Sequence, residues 1–558
     1  MLSNRKSLLV ILSVGVLVIG LAAWKFAASS KAEAPHLERY LPASTIGFVQ
    51  VYNLRAQTLN IAESDAWKEY SKTNPTATSL LLMGANHAGL LDASYAVALT
   101  GVNIVNGKPE PGFALVGEAT DGNSRDTFRR LLGMLSQGTK GSADATTEQY
   151  GTYTIKVFGG PNSETVAYAA TGDLIVLSNS SSVVKSVLDA RDGKVQTLAD
   201  NPQLSQVRTQ IGYNDGMFGF VDGVAISKLI DSLPIPNQKP VSMFREFFHA
   251  TGADSAQSVA MTSSFANGRV VERYTVFAKD GGHGAFHTVV TNPGTRQDLL
   301  NLVPDSATLV ADASIANAAQ TFDQLAAVAS QLATENGQPS TQDFFQQVFS
   351  KTGIDVRNDF VQSLGSEACI AHLSLNGKED GIAIVNLADQ DKFSHVMDLL
   401  AQRENKTVTT TDYQGTQIKS VVGEKGHGIF YTFINNDYVA SNDIAAVQLV
   451  IDTTKNGKSL SASDAYRNAA TQISGNPQFV AFASNRNYLN HMGHLLANQN
   501  SGIKPTDQDS NLPPSFAYGV GKQDGLYVES YSPLGTFPAL LTLVTSRIMS
   551  APSNHSGE

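Results

Sequence analysis

From Tyr150 to Asp189 the chain reads YGTYTIKVFGGPNSETVAYAATGDLIVLSNSSSVVKSVLD. TYTIKVF and VAYAA are apolar or alternating over strand lengths, and TGD supplies turn residues before LIVLS. Short apolar runs bounded in this way predict a meander of antiparallel strands. LSNSS then offers a Ser/Asn cap, and VVKSVLDA continues at helical spacing to DGK, where glycine can take the left-handed cap conformation.

The pattern returns in YQGTQIKSVVGEKGHGIFYTFINNDYVASNDIAAVQLVID, residues 413–452, at a constant offset of 263. Eleven of forty positions are identical without a gap. They are Tyr150/Tyr413, Ile155/Ile418, Lys156/Lys419, Gly160/Gly423, Tyr168/Tyr431, Val176/Val439, Ser178/Ser441, Asn179/Asn442, Val184/Val447, Val187/Val450 and Asp189/Asp452. Lys156/Lys419 is the charged pair on a strand, and it reads as an outward-facing residue.

Other stretches echo in the same order. LPASTIGFVQVYN (41–53) and LVPDSATLVADAS (302–314) each place a proline, Pro42 or Pro304, ahead of a strand-like run. FALV (113–116) precedes the stripe Phe128, Leu131, Leu132, Leu135, and IAIV (382–385) precedes Phe393, Val396, Met397, Leu400. Both stripes have the i, i+3, i+4, i+7 spacing of a one-sided helix. VVERYTVF (270–277) and LYVESYSPL (526–534) share Val-Glu-x-Tyr and read as a closing strand in each unit. The second unit adds two helices early. One carries Phe322, Leu325, Ala329 and Leu332; the other carries Phe344, Phe345, Val348 and Phe349 and ends at Gly353.

The expected fold is therefore α+β, with two homologous units at 36–295 and 296–545. Each is a mostly antiparallel sheet with packed helices. Residues 291–298 and 498–515 have loop composition, and 546–558 reads as a disordered tail.

The N-terminus has a different pattern. Arg5 and Lys6 precede an uncharged run from Ser7 to Trp24. Its 18 residues are enough to span a bilayer as a helix. The basic pair predicts a cytoplasmic stub at 1–6, a transmembrane anchor at 7–24, a linker at 25–35 and everything beyond on the far side. The competing reading is a signal peptide cut after KAEA, which Pro35 at the following position disfavours.

Composition narrows the classes. The 558 residues are 42% hydrophobic and 16% charged, enough to bury sizeable cores. Net charge is -10 and no Lys/Arg cluster marks the C-terminal part, so nucleic acid is not an expected partner. Cys369 is the one cysteine, which rules out an intramolecular disulfide and a thiolate-rich metal site. In EACIAHL it reads as a buried, inert thiol.

Taken together, the Leu-Pro start, the Phe-x-x-Leu-Leu helix, the tyrosine-bearing strands and the GDLIVLSN step ending in LDARDGK resemble a bacterial family, domain of unknown function 3352 (DUF3352). The resemblance spans about 36–545. It implies a secreted or membrane-anchored protein with a long two-part body, and it brings no catalytic residues.

Candidate chemistry is sparse. Ser182-Val-Val-Lys185 fits S-x-x-K, and Lys351-Thr352-Gly353 fits K-T-G, as in penicillin-binding enzymes. The third element, S-x-N or Y-x-N, is absent from 186–350, and the second unit has Ala445 and Gln448 where the first has Ser182 and Lys185. Gly353 reads as a helix cap. His283/His287 and His491/His494 have spacings compatible with a metal, but no third ligand can be named for either pair. Asp305 and Asp312 flank a strand, with Ser44 and Tyr52 near the corresponding strand, and make no paired-carboxylate site. No G-x-S-x-G, P-loop, H-E-x-x-H, EF-hand or dinucleotide fingerprint occurs.

No catalytic, cofactor-binding or metal-ligating residue is assigned. The expected function is a non-enzymatic binding or scaffold protein, anchored in the bacterial cytoplasmic membrane with its bulk in the periplasm. Its partners would be the membrane, through the N-terminal helix, and a component of the envelope. The alternative is an envelope hydrolase or metal-dependent enzyme with a site in loops between the units.

Overall fold

The computed structural model describes residues 36–535, apart from 53, 74–92, 106–107, 120–125, 127–145, 160–164, 172, 213–215, 234–238, 280–281, 336, 376–377, 404–406, 423–427, 486–511, 523 and 534. Among the described residues, no helix is long and apolar enough to cross a membrane. The expected anchor, the tail and the Phe128 stripe lie outside them.

The fold is α+β. Among the described residues, twenty strands form one sheet. Ten lie in the N-terminal half: β1 (Gly47–Val51), β2 (Ala93–Val105), β3 (Lys108–Ala119), β4 (Thr146–Tyr150), β5 (Tyr153–Phe158), β6 (Val166–Thr171), β7 (Leu174–Ser178), β8 (Met217–Asp222), β9 (Ala256–Ala266) and β10 (Arg269–Ala278). Ten follow: β11 (Leu309–Ser314), β12 (Leu364–Leu375), β13 (Lys378–Leu387), β14 (Val408–Tyr413), β15 (Thr416–Val422), β16 (Gly428–Ile434), β17 (Asp437–Ser441), β18 (Phe479–Ala483), β19 (Ser515–Lys522) and β20 (Gly525–Ser532).

The helices are α1 (Leu54–Glu63), α2 (Asp65–Thr73), α3 (Ser181–Arg191), α4 (Pro202–Ile211), α5 (Gly223–Ser232), α6 (Lys239–Ala250), α7 (Gly284–Val290), α8 (Ala318–Glu335), α9 (Thr341–Thr352), α10 (Gln390–Arg403), α11 (Ile444–Asn456) and α12 (Asp464–Ala470).

Every pairing is antiparallel. The N-terminal half runs β4-β5-β6-β7-β3-β2-β1-β8-β9-β10 across the sheet. The C-terminal half runs β14-β15-β16-β17-β13-β12-β11-β18-β19-β20, the same order with each strand advanced by ten. β10 pairs with β20, so the two halves meet at their last strands.

Local chemistry explains why the block at 150–189 folds as it does at 413–452. Lys156 sits opposite Tyr168, and Lys419 opposite Tyr431. Between β16 and β17, Asn435 and Asn436 take φ of 52° and 67°, the left-handed turn that asparagine tolerates. The Ser180 hydroxyl caps α3 by accepting the Ser182 N–H, and the Asp443 carboxylate caps α11 by accepting the Ala445 N–H. Gly457 ends α11 at φ 66°. Val184, Val187 and Leu188 on α3 are fully buried, each contributing about 1.5–3 kcal/mol relative to exposure.

The two prolines begin equivalent turns. Pro42 bridges to Thr197 and Pro304 to Ser459. The Ala43 N–H donates to Gln196 O at 3.0 Å, and the Asp305 N–H to Lys458 O at 3.1 Å. Each proline thus fastens the first strand of its half to the chain that leaves the capped helix.

Cross-strand register places both cores on one face of the sheet. Phe48, Phe220, Ala260, Thr275 and Tyr527 form one row of opposed residues. Val310, Phe482, Phe516, Tyr531 and Val271 form the other. The first row belongs to the N-terminal core with Leu188, Val207 and Phe218; the second belongs to the C-terminal core with Ile384, Val439 and Val450. Tyr527 and Tyr531 are four apart on β20, so they share a face.

This register corrects one expectation. Aligning β10 and β20 by Val-Glu-x-Tyr equates Val271 with Val528. In the ladder Val271 faces Tyr531 on the core side, whereas Val528 faces Tyr274 on the other. A one-residue slip reverses every side chain. The rows instead equate Arg273 with Glu529.

Candidate functional site

The serine and lysine motifs do not assemble. The Ser182 hydroxyl shares a hydrogen with Ser180 Oγ at 2.7 Å in the first turn of α3. Lys185 pairs with Glu148 and lies 5.5 Å from the Tyr150 ring centroid. Lys351 is in the last turn of α9, where the Thr352 hydroxyl donates to Val348 O at 2.6 Å and Gly353 takes φ 74° as the cap. Lys351-Thr352-Gly353 is a helix end, as its sequence indicates, and not the strand that acyl-transfer chemistry requires.

Of the histidine pairs, 491 and 494 lie outside the described residues. His283 is the N-cap position of α7 and His287 lies in its last turn, with no carboxylate shared between them among the described residues. His283 instead approaches Asp254 at 3.8 Å, and Asp254 accepts from His249 Nδ1 at 3.0 Å. The other nitrogen of His249 meets Asp231 at 2.8 Å. Hydrogen bonds to Asp254 and then Asp231 raise the His249 pKa, favouring the imidazolium. The cluster ties the C-terminus of α6 to that of α5. Among the described residues, no group of three or more His, Cys, Asp or Glu is arranged to hold a metal ion.

Asp305 and Asp312 do not form a pair, but Asp312 has an acidic partner that sequence spacing does not reveal. It is 1% exposed on β11, opposite Cys369 of β12, and Glu367 lies two residues before Cys369 on the same strand. Glu367 Oε1 accepts the Leu299 N–H at 2.9 Å. Burial, then the Glu367 charge, pushes the Asp312 carboxyl up to about 8. Burial also raises Glu367, against the lowering effect of the Leu299 N–H. Cys369 is 1% exposed, and burial followed by these two acids raises its thiol well above the ordinary range. The buried, inert reading of Cys369 therefore holds. The ladder also shows that Asp312 corresponds to Gln50, not Tyr52, because Gln50 faces Ala96 as Asp312 faces Cys369.

Among the described residues, a concave surface is built by α8, α9 and the π-turn Val356–Phe360. It is a groove of about 520 Å³ walled by Phe322, Ala326, Ala327, Phe345, Phe349 and Val356, with Asp323, Thr341, Gln342, Gln346 and Arg357 at its polar margin. Helical spacing puts Phe345 and Phe349 on one side of α9, facing Phe322 of α8. The Phe322 and Phe345 rings are 5.3 Å apart. The Thr341 hydroxyl donates to Ala326 O at 2.7 Å, pinning α9 to α8. Arg357 closes one end with a two-point pair to Asp323, 2.6 and 2.7 Å, which holds that carboxylate below its ordinary pKa. Phe344 and Phe349 remain 58% and 56% exposed. An apolar wall, planar polar margin and this volume suit an alkyl or aromatic group.

The sequence announced both helices of the groove through their phenylalanine stripes. It did not announce Arg357 or Glu367, whose partners are distant in the chain, or His249, whose contacts carry no local motif.

No curated protein matches the chain. Among solved structures it is similar to crystal form IV of TP0453, at 11% identity over 44% of this chain and 82% of that one, with a TM-score of 0.24. Crystal form III of the same protein gives 10% identity over 45% and 81%, with a TM-score of 0.23. The expected family resemblance is found over the C-terminal half: residues 283–538 match the DUF3352 family, described as a protein of unknown function.

Proposed function

We propose that this chain is an anchored, extracytoplasmic binding or scaffold protein of the bacterial envelope, with a duplicated body. The apolar run at 7–24 after Arg5 and Lys6 supports the anchor. The repeated strand order, the two proline bridges and the paired tyrosine contacts support the duplication. Tyr150 donates to Asp189 at 2.7 Å, and Tyr413 donates to Asp452 at 3.1 Å.

The observation that carries a binding role is the aromatic groove between α8 and α9. Exposed Phe344 and Phe349 beside it are costly to leave in water unless they serve contact. The envelope partner would place an apolar group between Phe322 and Phe349.

Site-specific photocrosslinking tests this. A photoreactive residue at 346, on the groove margin, should capture a discrete partner from intact membranes, and Phe349→Ser should reduce the yield. Equal capture from position 185, on α3, would show adventitious labelling and remove the groove from consideration. Fractionation tests the anchor: recovery of the C-terminal part in the soluble periplasm would replace it with a cleaved signal.

A further inference from the structure

Asp312 and Glu367 pose a chemical problem that their surroundings do not solve. Neither oxygen of Asp312 meets a hydrogen-bond donor among the described residues, although the residue is 1% exposed. Its neighbour of hydrogen-bonding type is another carboxyl, that of Glu367, itself 5% exposed. Two carboxylates in contact repel, and neither can donate. Carboxyl to carboxyl contact becomes a hydrogen bond when one of the two carries a proton.

Among the described residues, the other groups facing the pair do not supply positive charge. Cys369 on β12 and Tyr466 on α12 are neutral, and Asp298 adds negative potential from the 3-10 turn Asp298–Asn301. A proton satisfies the pair with no further group.

The pair also has something to hold. Glu367 accepts the Leu299 N–H, so it caps the turn that leads the chain into the C-terminal half. Leu299, Leu300 and Val303 of that segment are at most 1% exposed and belong to the core. In the N-terminal half, the corresponding ladder positions hold Gln50 and Ser94, both buried and both neutral. An amide and a hydroxyl keep their hydrogen bonds at any ordinary pH. The titratable version is confined to one half.

We propose that Asp312 and Glu367 form a buried proton-binding site that locks the lead-in segment, residues 298–303, onto the C-terminal core and loosens it when the shared proton leaves. One proton, held between Asp312 Oδ and Glu367 Oε, passes to water or hydroxide, leaving two buried negative charges beside Asp298. Glu367 then turns from its Leu299 contact toward solvent. Because both carboxyls are raised, the stabilisation is present at low pH and is lost as pH rises through the folded-state titration.

The test is native-state hydrogen exchange on the full chain from pH 6 to pH 9, corrected for intrinsic base catalysis. The protection factor of Leu299 to Val303 should fall in the wild type by up to about tenfold per pH unit once the proton is lost. In Asp312→Asn it should stay level, because the amide donates to Glu367 without a titrating proton. Glu367→Gln should be level for the same reason, and serves if Asp312→Asn does not fold. A level wild-type profile would overturn the proposal. So would the same fall in a folded variant. Protection restored at high pH by sodium but not choline would also overturn it, in favour of a cation.

Discussion

Arg273 on β10 and Glu529 on β20 meet across the central seam, guanidinium to carboxylate, at 2.8 Å. They are directly opposed in the ladder that joins the two halves. Their side chains are 42% and 19% exposed, so water screens the pair and its contribution is modest. Arg273→Glu should weaken protection of the β10 and β20 amides, with a cost of about 1 kcal/mol or less. The swap Arg273→Glu with Glu529→Arg should recover most of it. Hydrogen exchange at the seam reads both; a swap no better than the sum of its singles would show that the pair has no coupling.

Tyr413→Phe should cost about 0.5–1.5 kcal/mol, the net worth of one hydrogen bond to Asp452. Tyr150→Phe should also destabilise, through loss of its contact with Asp189. Chemical denaturation followed by probes in each half compares them. A large cost in one half and none in the other would show that the two contacts do different jobs.

Cys369 should resist alkylation in the native protein near neutral pH and react at once in denaturant. Its thiol is buried and pushed far from ionisation by burial and the neighbouring acids. Mass spectrometry after timed labelling measures this directly. Rapid native labelling would mean that the β11–β12 region opens often.

Phe344→Ser should alter stability by no more than about 0.5 kcal/mol, since the ring is largely in water. It should lower binding of an apolar fluorescent probe if the groove margin is a contact surface. Thermal melting and probe titration on one sample separate the effects. Unchanged binding would confine the contact surface to the Phe345 and Phe349 side.

His249 should titrate above an ordinary histidine, because Asp254 and Asp231 favour its charged form. The clamp between α5 and α6 is then complete below the ordinary histidine pKa and is lost as pH rises through the folded-state value. Proton NMR of the imidazole follows it. Asp254→Asn should bring the titration back down; no change would assign the shift to Asp231.

Much of the fold was legible because it rests on local devices. The meander at 150–189, its twin at 413–452, the Ser180 and Asp443 caps and the Gly457 stop each depend on a few adjacent residues. The seam was not legible. Strand partners there are far apart in the chain, and the Val-Glu-x-Tyr likeness pointed one residue out of frame. The same distance concealed the site chemistry. Asp312 is visible beside Asp305 in the sequence, but its real neighbour, Glu367, arrives on the next strand after two intervening helices. Phenylalanine stripes marked α8 and α9, whereas Arg357 gives no sign that it will close their groove.

The seam also sets a schedule. β10 ends at Ala278, and its partner strand begins at Gly525. Roughly 250 residues must be synthesised between them, which at about 5–20 residues per second takes roughly 12–50 s. For that interval the first half has an unpaired edge strand, with Val271 and Thr275 awaiting Tyr531 and Tyr527. A chain cut short before β20 would keep that edge permanently. Premature termination is therefore expected to yield a sticky, self-pairing fragment, and β20, made late, is the strand that renders the first half safe.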